Sequence, residues 1–376
     1  MYRVWLTLVL LATATLAHGQ LAVEVQYGLG RHIPILAEGY PDIVANSPQW
    51  TVSVGYRSDE AQWSQLYGKP LWHTRLSYQT LGNDQIFGSA VGLSTGLLFD
   101  MTPSGRWQLT AGGTLGLAYL DRPYDVVDNA TNPSIGTHLN AMATLEARVV
   151  LLYLPGVRLG AALSAEHYSN SDYSEPNIGV NIASGRVFLQ LDWSDEPPRF
   201  AMAVDTSYAV ISILPPSVDR NIRLWQPYLR LSGGLTERGI DGPKYAVYGV
   251  GGGMSYRHSL KHRWSLGIDY IFDRSAQRFQ EHIGVPSDEA RRESRRLALM
   301  GGHEFVMGRI GLVTEVGLYF TDHYARRTII PTRLGLQFYP LQSAYGYPHY
   351  QSYIGLYVHA YSGEAEYPEL AVGVAF

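Results

Sequence analysis

The sequence predicts an all-β protein, a closed antiparallel transmembrane β-barrel, and three observations support this fold class. Apolar and polar residues alternate with a period of two along many segments, such as 48–57 and 350–362, and helical spacing appears nowhere at comparable strength. Several segments exceed ten residues, which suits a tilted strand that crosses a bilayer. Very short connections alternate with long polar ones, as is usual in outer-membrane barrels.

The N-terminus, MYRVWLTLVLLATATLAHGQ, has the pattern of a secretory signal peptide. Arg3 gives a positive start, a short apolar core follows, and Ala17 and Gly19 supply small residues at a cleavage site before Gln20. We expect residues 1–19 to be removed and 20–376 to form a barrel outside the cytoplasm. No later stretch reaches the roughly 18 apolar residues of a membrane helix, so a membrane-spanning chain must use closed strands.

Composition excludes several classes of function. The 376 residues carry a mild net charge of −4, so no basic excess indicates a nucleic-acid partner. The absence of cysteine excludes disulfides, thiol chemistry and a lipoprotein anchor. The histidines show no convincing metal-binding set, and we expect neither a metal nor another cofactor.

The number of candidate strands decides the architecture. The candidates are 21–28, 48–57, 70–80, 86–99, 105–121, 136–153, 157–169, 177–193, 199–211, 223–236, 244–258, 262–272, 292–305, 308–322, 328–340, 350–362 and 366–376. A bacterial barrel needs an even number of strands, so one candidate between 199 and 244 is expected to be misread, and we predict a single barrel of roughly 14–16 strands. Two smaller barrels in tandem are the alternative, because residues 21–193 alone supply eight strands.

The C-terminus, LAVGVAF, resembles the assembly signal of bacterial outer-membrane barrels. Leu370, Val372, Val374 and the terminal Phe376 share one face of the predicted last strand, and small residues occupy the other face. Together with the signal peptide, this strand predicts a location in the bacterial outer membrane. It also predicts the barrel-assembly machinery as a partner.

The segment AALSAEHYSNSDYSEPNIGVN, residues 161–181, places polar groups where the alternation predicts a lipid-facing surface. On strand 157–169 the apolar odd positions lead to His167 and Ser169. On the returning strand the odd positions include Asn177 and Asn181. Polar side chains on a lipid-facing surface are costly unless they lie near the interface, so their clustering indicates a function.

These residue types can form an acyl-transfer site. Residues two apart on a strand are roughly 7 Å apart at the backbone, which a tilted imidazole can span. An imidazole that takes the proton of a serine hydroxyl makes it a nucleophile. Carboxamides or backbone N–H groups can stabilise the oxyanion, and a further group must orient the histidine. The alternative interpretation is a polar loop that happens to contain His, Ser and Asn.

The quoted segment resembles a known family. HYSN at 167–170, followed by PNIGVN at 176–181, is similar to the signature of lipid A 3-O-deacylases (PagL-type, the acyloxyacyl hydrolase group). Members of that family are outer-membrane β-barrel esterases that remove a 3-linked hydroxyacyl chain from lipopolysaccharide. The resemblance is strongest over 105–193, where GTHLN at 136–140 is also similar. Residues 199–376 carry no motif that can be assigned.

The resemblance implies a role for each matching residue. Ser169 would be the nucleophile and His167 the general base. Asn177 would stabilise the oxyanion together with Asn170, which shapes the turn. The position at which the best-understood members carry a glutamate is Asn181 in this chain.

This departure leaves three alternatives for the group that orients the histidine. Asn181 could do so, because an amide can fix a tautomer although it cannot stabilise an imidazolium as a carboxylate does. The acid could instead be Glu175 or Asp172 in the loop. The third alternative is a weak activity.

Two functions from different classes follow. The first is an outer-membrane serine esterase that hydrolyses an ester-linked acyl chain of lipid A, with the lipid A of lipopolysaccharide as substrate. The second is a non-enzymatic channel or transporter for small or apolar solutes, which needs a polar lumen and has no use for His and Ser on the lipid-facing side. The sequence leaves open which acyl ester is cut and whether the chain forms a homodimer.

Overall fold

The computed structural model describes residues 19–34, 40–58, 61–102, 108–193, 224–321, 330–341, 350–361 and 364–376. The predicted signal peptide thus lies outside the described residues except for Gly19. The chain divides into two compact units, Met1–Ser169 with Ile178–Leu214, and Asn170–Asn177 with Pro215–Phe376. In the part of the chain that is described, no helix is long and apolar enough to cross a membrane.

The first eight strands form a closed antiparallel barrel. They are β1 (Gly19–His32), β2 (Ser47–Ser58), β3 (Leu71–Thr80), β4 (Ser89–Asp100), β5 (Gln108–Leu120), β6 (Leu139–Leu154), β7 (Val157–Ser169) and β8 (Val180–Trp193). Consecutive strands pair, and β1 also pairs with β8, with Val25 opposite Leu189. A short helix, α1 (Gln62–Leu66), lies between β2 and β3.

The next eight strands form a second closed antiparallel barrel. They are β9 (Trp225–Glu237), β10 (Lys244–Arg257), β11 (His262–Asp273), β12 (Arg295–Met307), β13 (Ile310–Thr321), β14 (Pro331–Phe338), β15 (Gln351–Tyr361) and β16 (Glu364–Ala375). The closing pair is β16 with β9, with Val372 opposite Leu231. Helices α2 (Arg274–His282) and α3 (Ser287–Glu293) lie in the long connection between β11 and β12.

The predicted fold class is confirmed, and the architecture is the tandem alternative. The prediction of one barrel of 14–16 strands is wrong, because β1 takes β8 as its second neighbour and β9 takes β16. Each set of eight therefore satisfies its own edge N–H and C=O groups, which an open sheet would leave unpaired. The candidate strand 199–211 lies outside the described residues.

The period-two pattern separates an apolar exterior from a charged interior in the first barrel. Leu163 on β7 is 71% exposed, whereas Glu166 on the same strand is buried. Inside, Glu146 Oε2 lies 3.0 Å from Arg186 and 3.3 Å from Arg75. Another guanidinium, that of Arg148, contacts Glu24 at 2.6 Å. Buried charges need such partners, because an unpaired one costs several kcal/mol.

The second barrel is filled in the same way by different residues. Arg230 and Arg333 each lie 2.8 Å from Asp269 Oδ2, and both also contact Glu315. Glu369 lies 3.1 Å from Arg333. In the described part of both barrels, the interior is thus occupied by ion-paired side chains.

Candidate active site

The candidate site lies where β7 ends and β8 begins, on the exterior of the first barrel. Antiparallel pairing puts His167 directly opposite Asn181. His167 is exposed, as the alternation along β7 predicts, while Tyr168 points inward and its hydroxyl donates to Gln79. The register therefore places an imidazole and a carboxamide side by side on the outward face.

A hydrogen bond joins these two side chains. The distance from His167 Nδ1 to Asn181 Oδ1 is 2.8 Å. A carboxamide oxygen only accepts, so Nδ1 carries the proton and donates. The lone pair of the neutral ring then belongs to Nε2. This tautomer is the one in which Nε2 can take a proton from a hydroxyl.

Ser169 is the last residue of β7, and its exposure departs from the simple alternation. Its exposed fraction is only 8%, although Ser169, like the exposed His167, occupies an odd-numbered position of the strand. The strand ends at Ser169, and Ser171 and Asp172 adopt positive φ angles of 59° and 65°. Parity predicts exposure only while the backbone is extended, so it stops applying at this turn.

Two asparagines shape the turn after Ser169. The side chain of Asn170 both donates to the carbonyl of Ser174, at 2.8 Å, and accepts from its N–H, at 3.2 Å. The backbone N–H of Asn170 donates to Oδ1 of Asn177 at 2.9 Å. This contact engages the oxygen of the Asn177 carboxamide, so its NH₂ group is directed away from Asn170.

The successive positive φ angles of Ser171 and Asp172 mark local strain. Non-glycine residues with such angles cost of the order of 1–3 kcal/mol each, and they cluster at functional sites. Turns of this kind also bring successive backbone N–H groups towards one side, where they can bind an anion. The turn that follows Ser169 is therefore a candidate source of backbone donors for an oxyanion.

Glu175 and Asp172 are predicted as alternative acids in the loop. The hydrogen-bond partner of His167 Nδ1 is instead Asn181. Burial, and to a smaller extent the nearby charge of Glu175, raise the pKa of Asp172 to about 7. A carboxyl with that pKa is partly protonated at neutral pH, so it is a poor source of fixed negative charge. Glu175 precedes Pro176 in the same turn.

Sequence reasoning missed one residue that contacts the histidine, Gly179, and one that contacts Gly179 in turn, Ser134. Gly179 packs against the His167 ring, and its N–H donates to the carbonyl of Ser134 in a distant loop. The glycine in PNIGVN was visible in the sequence, but Ser134 had no local signal. His138 of the GTHLN segment lies 2.8 Å from the carbonyl oxygen of Leu120 and stacks on Tyr119, so it has a local structural contact.

The described residues contain no group of three or more His, Cys, Asp or Glu side chains that could hold a metal ion. The site is built from imidazole, hydroxyl and carboxamide groups. That set suits nucleophilic acyl transfer, in which the protein's own side chains supply the nucleophile, the base and the oxyanion donors.

Two family models match the chain. The model described as lipid A 3-O-deacylase (PagL) matches residues 50–190, which include the segment from His167 to Asn181. The model described as acyloxyacyl hydrolase, C-terminal domain, matches residues 225–376. The chain belongs to the lipid A 3-O-deacylase family. Its family membership confirms the resemblance seen in the sequence, and it makes the protein an ester-hydrolysing enzyme of the bacterial outer membrane.

Solved structures resemble part of this deacylase. The outer membrane enzyme PagL is 16% identical, with 45% of this chain and 98% of that chain covered and a TM-score of 0.29. Neisserial surface protein A is 11% identical, with coverage of 46% and 96% and a TM-score of 0.29. The N-terminal β-barrel domain of Pseudomonas aeruginosa OprF is 15% identical, with coverage of 46% and 100% and a TM-score of 0.28. None of the curated proteins matches the chain.

Proposed function

We propose that this deacylase cleaves the 3-linked acyl ester of lipid A by a serine mechanism, with Ser169 as nucleophile and His167 as general base. The observation that carries the proposal is the hydrogen bond from His167 Nδ1 to Asn181 Oδ1. It fixes the one tautomer in which Nε2 can accept the serine proton.

The first half of the reaction forms an acyl-enzyme. Ser169 Oγ attacks the ester carbonyl carbon while its proton passes to Nε2 of His167. The negative charge on the carbonyl oxygen is stabilised by the NH₂ group of Asn177 and by backbone N–H groups of the turn that Asn170 shapes, other than its own N–H, which donates to Asn177. When the tetrahedral intermediate collapses, the bond between the acyl carbon and the 3-oxygen of the sugar breaks, and the imidazolium gives its proton to that departing oxygen, which becomes the free 3-hydroxyl.

The second half releases the fatty acid. Water attacks the acyl-serine carbonyl, its proton passes to His167, and the second tetrahedral intermediate expels Ser169 with its proton restored. The products are a free hydroxyl on the sugar and a fatty acid. Asn181 orients the ring throughout, but as a neutral amide it contributes less to the stability of the imidazolium than a carboxylate would.

The location of the site fits a lipid substrate. His167 is exposed on the outward face of β7, and Leu163 on the same face is the kind of apolar side chain that contacts lipid. An ester of a membrane lipid can therefore reach the imidazole laterally, without entering the barrel. The ion pairs that fill the described interior count against the channel or transporter hypothesis.

Lipid A mass spectrometry tests this function. Cells that express the full chain should lose one 3-linked acyl chain from lipid A, whereas cells without it should not. A His167→Ala chain, confirmed as folded by heat-modifiable gel migration, is the matched control and should leave lipid A unchanged. Unchanged lipid A in cells that carry folded wild-type protein would refute the function, and loss from a position other than the 3-linked ester would refute its regiochemistry.

Two further partners belong to this proposal. The exposed Leu370, Val372 and Val374, followed by the terminal Phe376, support recognition of β16 by the barrel-assembly machinery. A homodimer, which the sequence leaves open, is the second of these partners. Chemical crosslinking of the chain in outer membranes tests it, and the absence of a crosslinked dimer would contradict it.

A further inference from the structure

Gly179 lies directly against the imidazole of His167. It is buried, immediately precedes β8, and has a φ of +84°. A Cβ added there would lie 2.8 Å from Cε1 of His167 and 3.6 Å from Nδ1. Because a carbon cannot approach that closely, any side chain at this position must displace the ring or the backbone. The bare Cα of Gly179 therefore limits where the edge of the imidazole can lie.

A chain of hydrogen bonds holds Gly179 in place. Its N–H donates to the carbonyl of Ser134 at 2.9 Å. The Ser134 hydroxyl lies 3.0 Å from the Tyr40 hydroxyl, which lies 2.8 Å from Nε2 of His32. Nδ1 of His32 is 3.0 Å from the carbonyl of Leu81, so Nδ1 donates and Nε2 accepts from Tyr40. Tyr40 must then accept from Ser134, which gives the chain one direction.

The residues around this series of hydrogen bonds are tightly packed. Phe87, Ile135 and Val180 belong to one buried apolar cluster, against which Tyr40 packs. His32 also contacts the rings of Tyr40 and Phe87. Packed side chains transmit a displacement rather than absorb it, because the interior has few voids. A change at Ser134 or Tyr40 can thus move the backbone at Gly179.

We propose that Gly179 is a positioning residue for His167 and that the Ser134–Tyr40–His32 chain fixes Gly179 from outside the motif. The imidazole is held on one edge by Asn181 and is limited on another by the Gly179 Cα. The inference rests on the proposed function, because His167 is the base there. It assigns to the loop that contains Ser134 a part in setting the geometry of proton transfer.

A matched pair of glycine variants separates this role from a purely local backbone effect. Gly179→Ala introduces both a positive-φ alanine and a clash with the ring. Gly156→Ala introduces a positive-φ alanine in the same barrel, at φ +77°, where the nearest atom would be the carbonyl oxygen of Asp192 at 3.5 Å. Both variants are confirmed as folded by heat-modifiable migration before purified protein is assayed for lipid A deacylation.

We expect Gly179→Ala to lower kcat by about 10- to 100-fold, since a misplacement near 1 Å at a catalytic group can cost that much. KM should change little, and the acidic limb of the kcat/KM pH profile should shift because the base is held differently. Gly156→Ala should match wild type. Equal losses in the two variants, or a wild-type kcat and pH profile in Gly179→Ala, would overturn the proposal.

The hydrogen-bond chain has its own test. Ser134→Ala removes the contact between the Ser134 and Tyr40 hydroxyls, and Tyr40→Phe removes that contact together with the one to His32. Ser134→Ala should therefore lower kcat by about threefold, the worth of a typical net hydrogen bond, and Tyr40→Phe by at least as much. Because Tyr40→Phe already removes the contact that Ser134→Ala removes, the double variant should lose no more than Tyr40→Phe alone. Additive losses, or no loss, would overturn the part of the proposal that concerns these hydrogen bonds.

A spectroscopic measurement keeps the inference separate from the proposed function. In ¹⁵N-histidine spectra, with the His167→Gln protein used to assign the signal, wild type should show His167 protonated at Nδ1. Gly179→Ala should show a mixture of tautomers, and Gly156→Ala should not. If wild type deacylates nothing, the proposed function fails, but the tautomer comparison still decides the positioning role. An unchanged His167 signal in Gly179→Ala would refute that role.

Discussion

The two barrels differ at the end of their seventh strands. In the first barrel, the paired outward positions are His167 on β7 and Asn181 on β8. At the corresponding place in the second barrel, Ala360 on β15 is paired with Ala365 on β16. Two methyl groups thus stand where the first barrel has an imidazole and a carboxamide.

The second barrel does have a histidine nearby, but its side chain lies on the opposite face of the strand. The first barrel reads Glu166-His167-Tyr168-Ser169 and the second reads His359-Ala360-Tyr361-Ser362. His359 points inward, has an exposed fraction of 0%, and lies 3.2 Å from Glu366. A shift of one residue along a strand moves a side chain to the other face. The same residue type therefore belongs to the candidate site in one barrel and to the ion-paired interior in the other.

The largest expected effect separates the two serines. Ser169→Ala should lower deacylation by about four orders of magnitude or more, by analogy with removal of other serine nucleophiles. Ser362→Ala, at the matching sequence position of the second barrel, should leave the rate unchanged. Rates on purified lipid A, with folding checked by heat-modifiable migration, measure both. Full activity of an inserted Ser169→Ala protein would remove Ser169 as nucleophile.

The next effect concerns the partner of the histidine. Asn181→Ala should cost about 100-fold or more in turnover, because the imidazole loses the acceptor that fixes its tautomer. Asn181→Glu should keep or raise activity, since a carboxylate also stabilises the imidazolium. Ala365→Asn, at the matching position of the second barrel, is the control and should have no effect.

Steady-state rates of these three variants decide the assignment. Glu175→Gln belongs in the same series and should be nearly silent, because Asn181 already holds Nδ1 of His167. An active Asn181→Ala protein beside an inactive Glu175→Gln protein would mean that the acid lies in the loop.

A smaller effect is expected from the end of the second barrel. Deletion of Phe376 should lower the yield of assembled protein in the outer membrane, because the aromatic end of β16 is the predicted assembly signal. The molecules that do assemble should deacylate lipid A at the wild-type rate, since the candidate residues His167 and Asn181 lie on β7 and β8 of the first barrel. A normal yield would contradict the expected assembly defect. A reduced rate per assembled molecule would contradict the expectation that the site is unaffected.

The smallest effect on activity is expected from Asp172. Burial raises its pKa in the folded protein to about 7, above the ordinary value of 3.8, so the folded state binds this proton more tightly than the unfolded state. The ionised carboxyl therefore destabilises the fold increasingly between about pH 4 and pH 7, and by a constant amount above that. Asp172→Asn should raise thermal stability at pH 8, leave it unchanged near pH 4, and keep activity within about twofold.

Thermal unfolding of the two proteins at both pH values checks this sign. The Asn side chain is the neutral isostere, so it resembles protonated Asp172 at low pH. A stability gain at pH 4 equal to that at pH 8 would show that charge is not the cause. A large loss of deacylation would instead make Asp172 part of the catalytic machinery.

Much of the outward face of the candidate site could be predicted from the sequence. The alternation along 157–169 assigned His167 to the exterior, and the alternation along 177–193 put Asn181 on the same side. Both assignments depend on a local rule, since side chains of an extended strand alternate between two faces. The structure adds their direct pairing, which is fixed by the hairpin register.

The same rule could not predict the surroundings of Ser169 and Gly179 at the strand ends. The exposure of Ser169 depends on the turn at Ser171, where extended geometry stops. The contact between Gly179 and His167 depends on a backbone bond to Ser134, more than forty residues earlier in the chain. Neither feature leaves a periodic signal, because each results from tertiary packing.

The sequence by itself determined that this protein is an all-β barrel with apolar residues outside, because strand length and alternation are local properties that every barrel strand shares. It did not determine where the barrels close. Alternation is equally compatible with one barrel of sixteen strands and with two of eight. Only the tertiary structure decided this, through the pairing of β1 with β8 and of β9 with β16, since closure depends on which distant edges satisfy each other's hydrogen bonds.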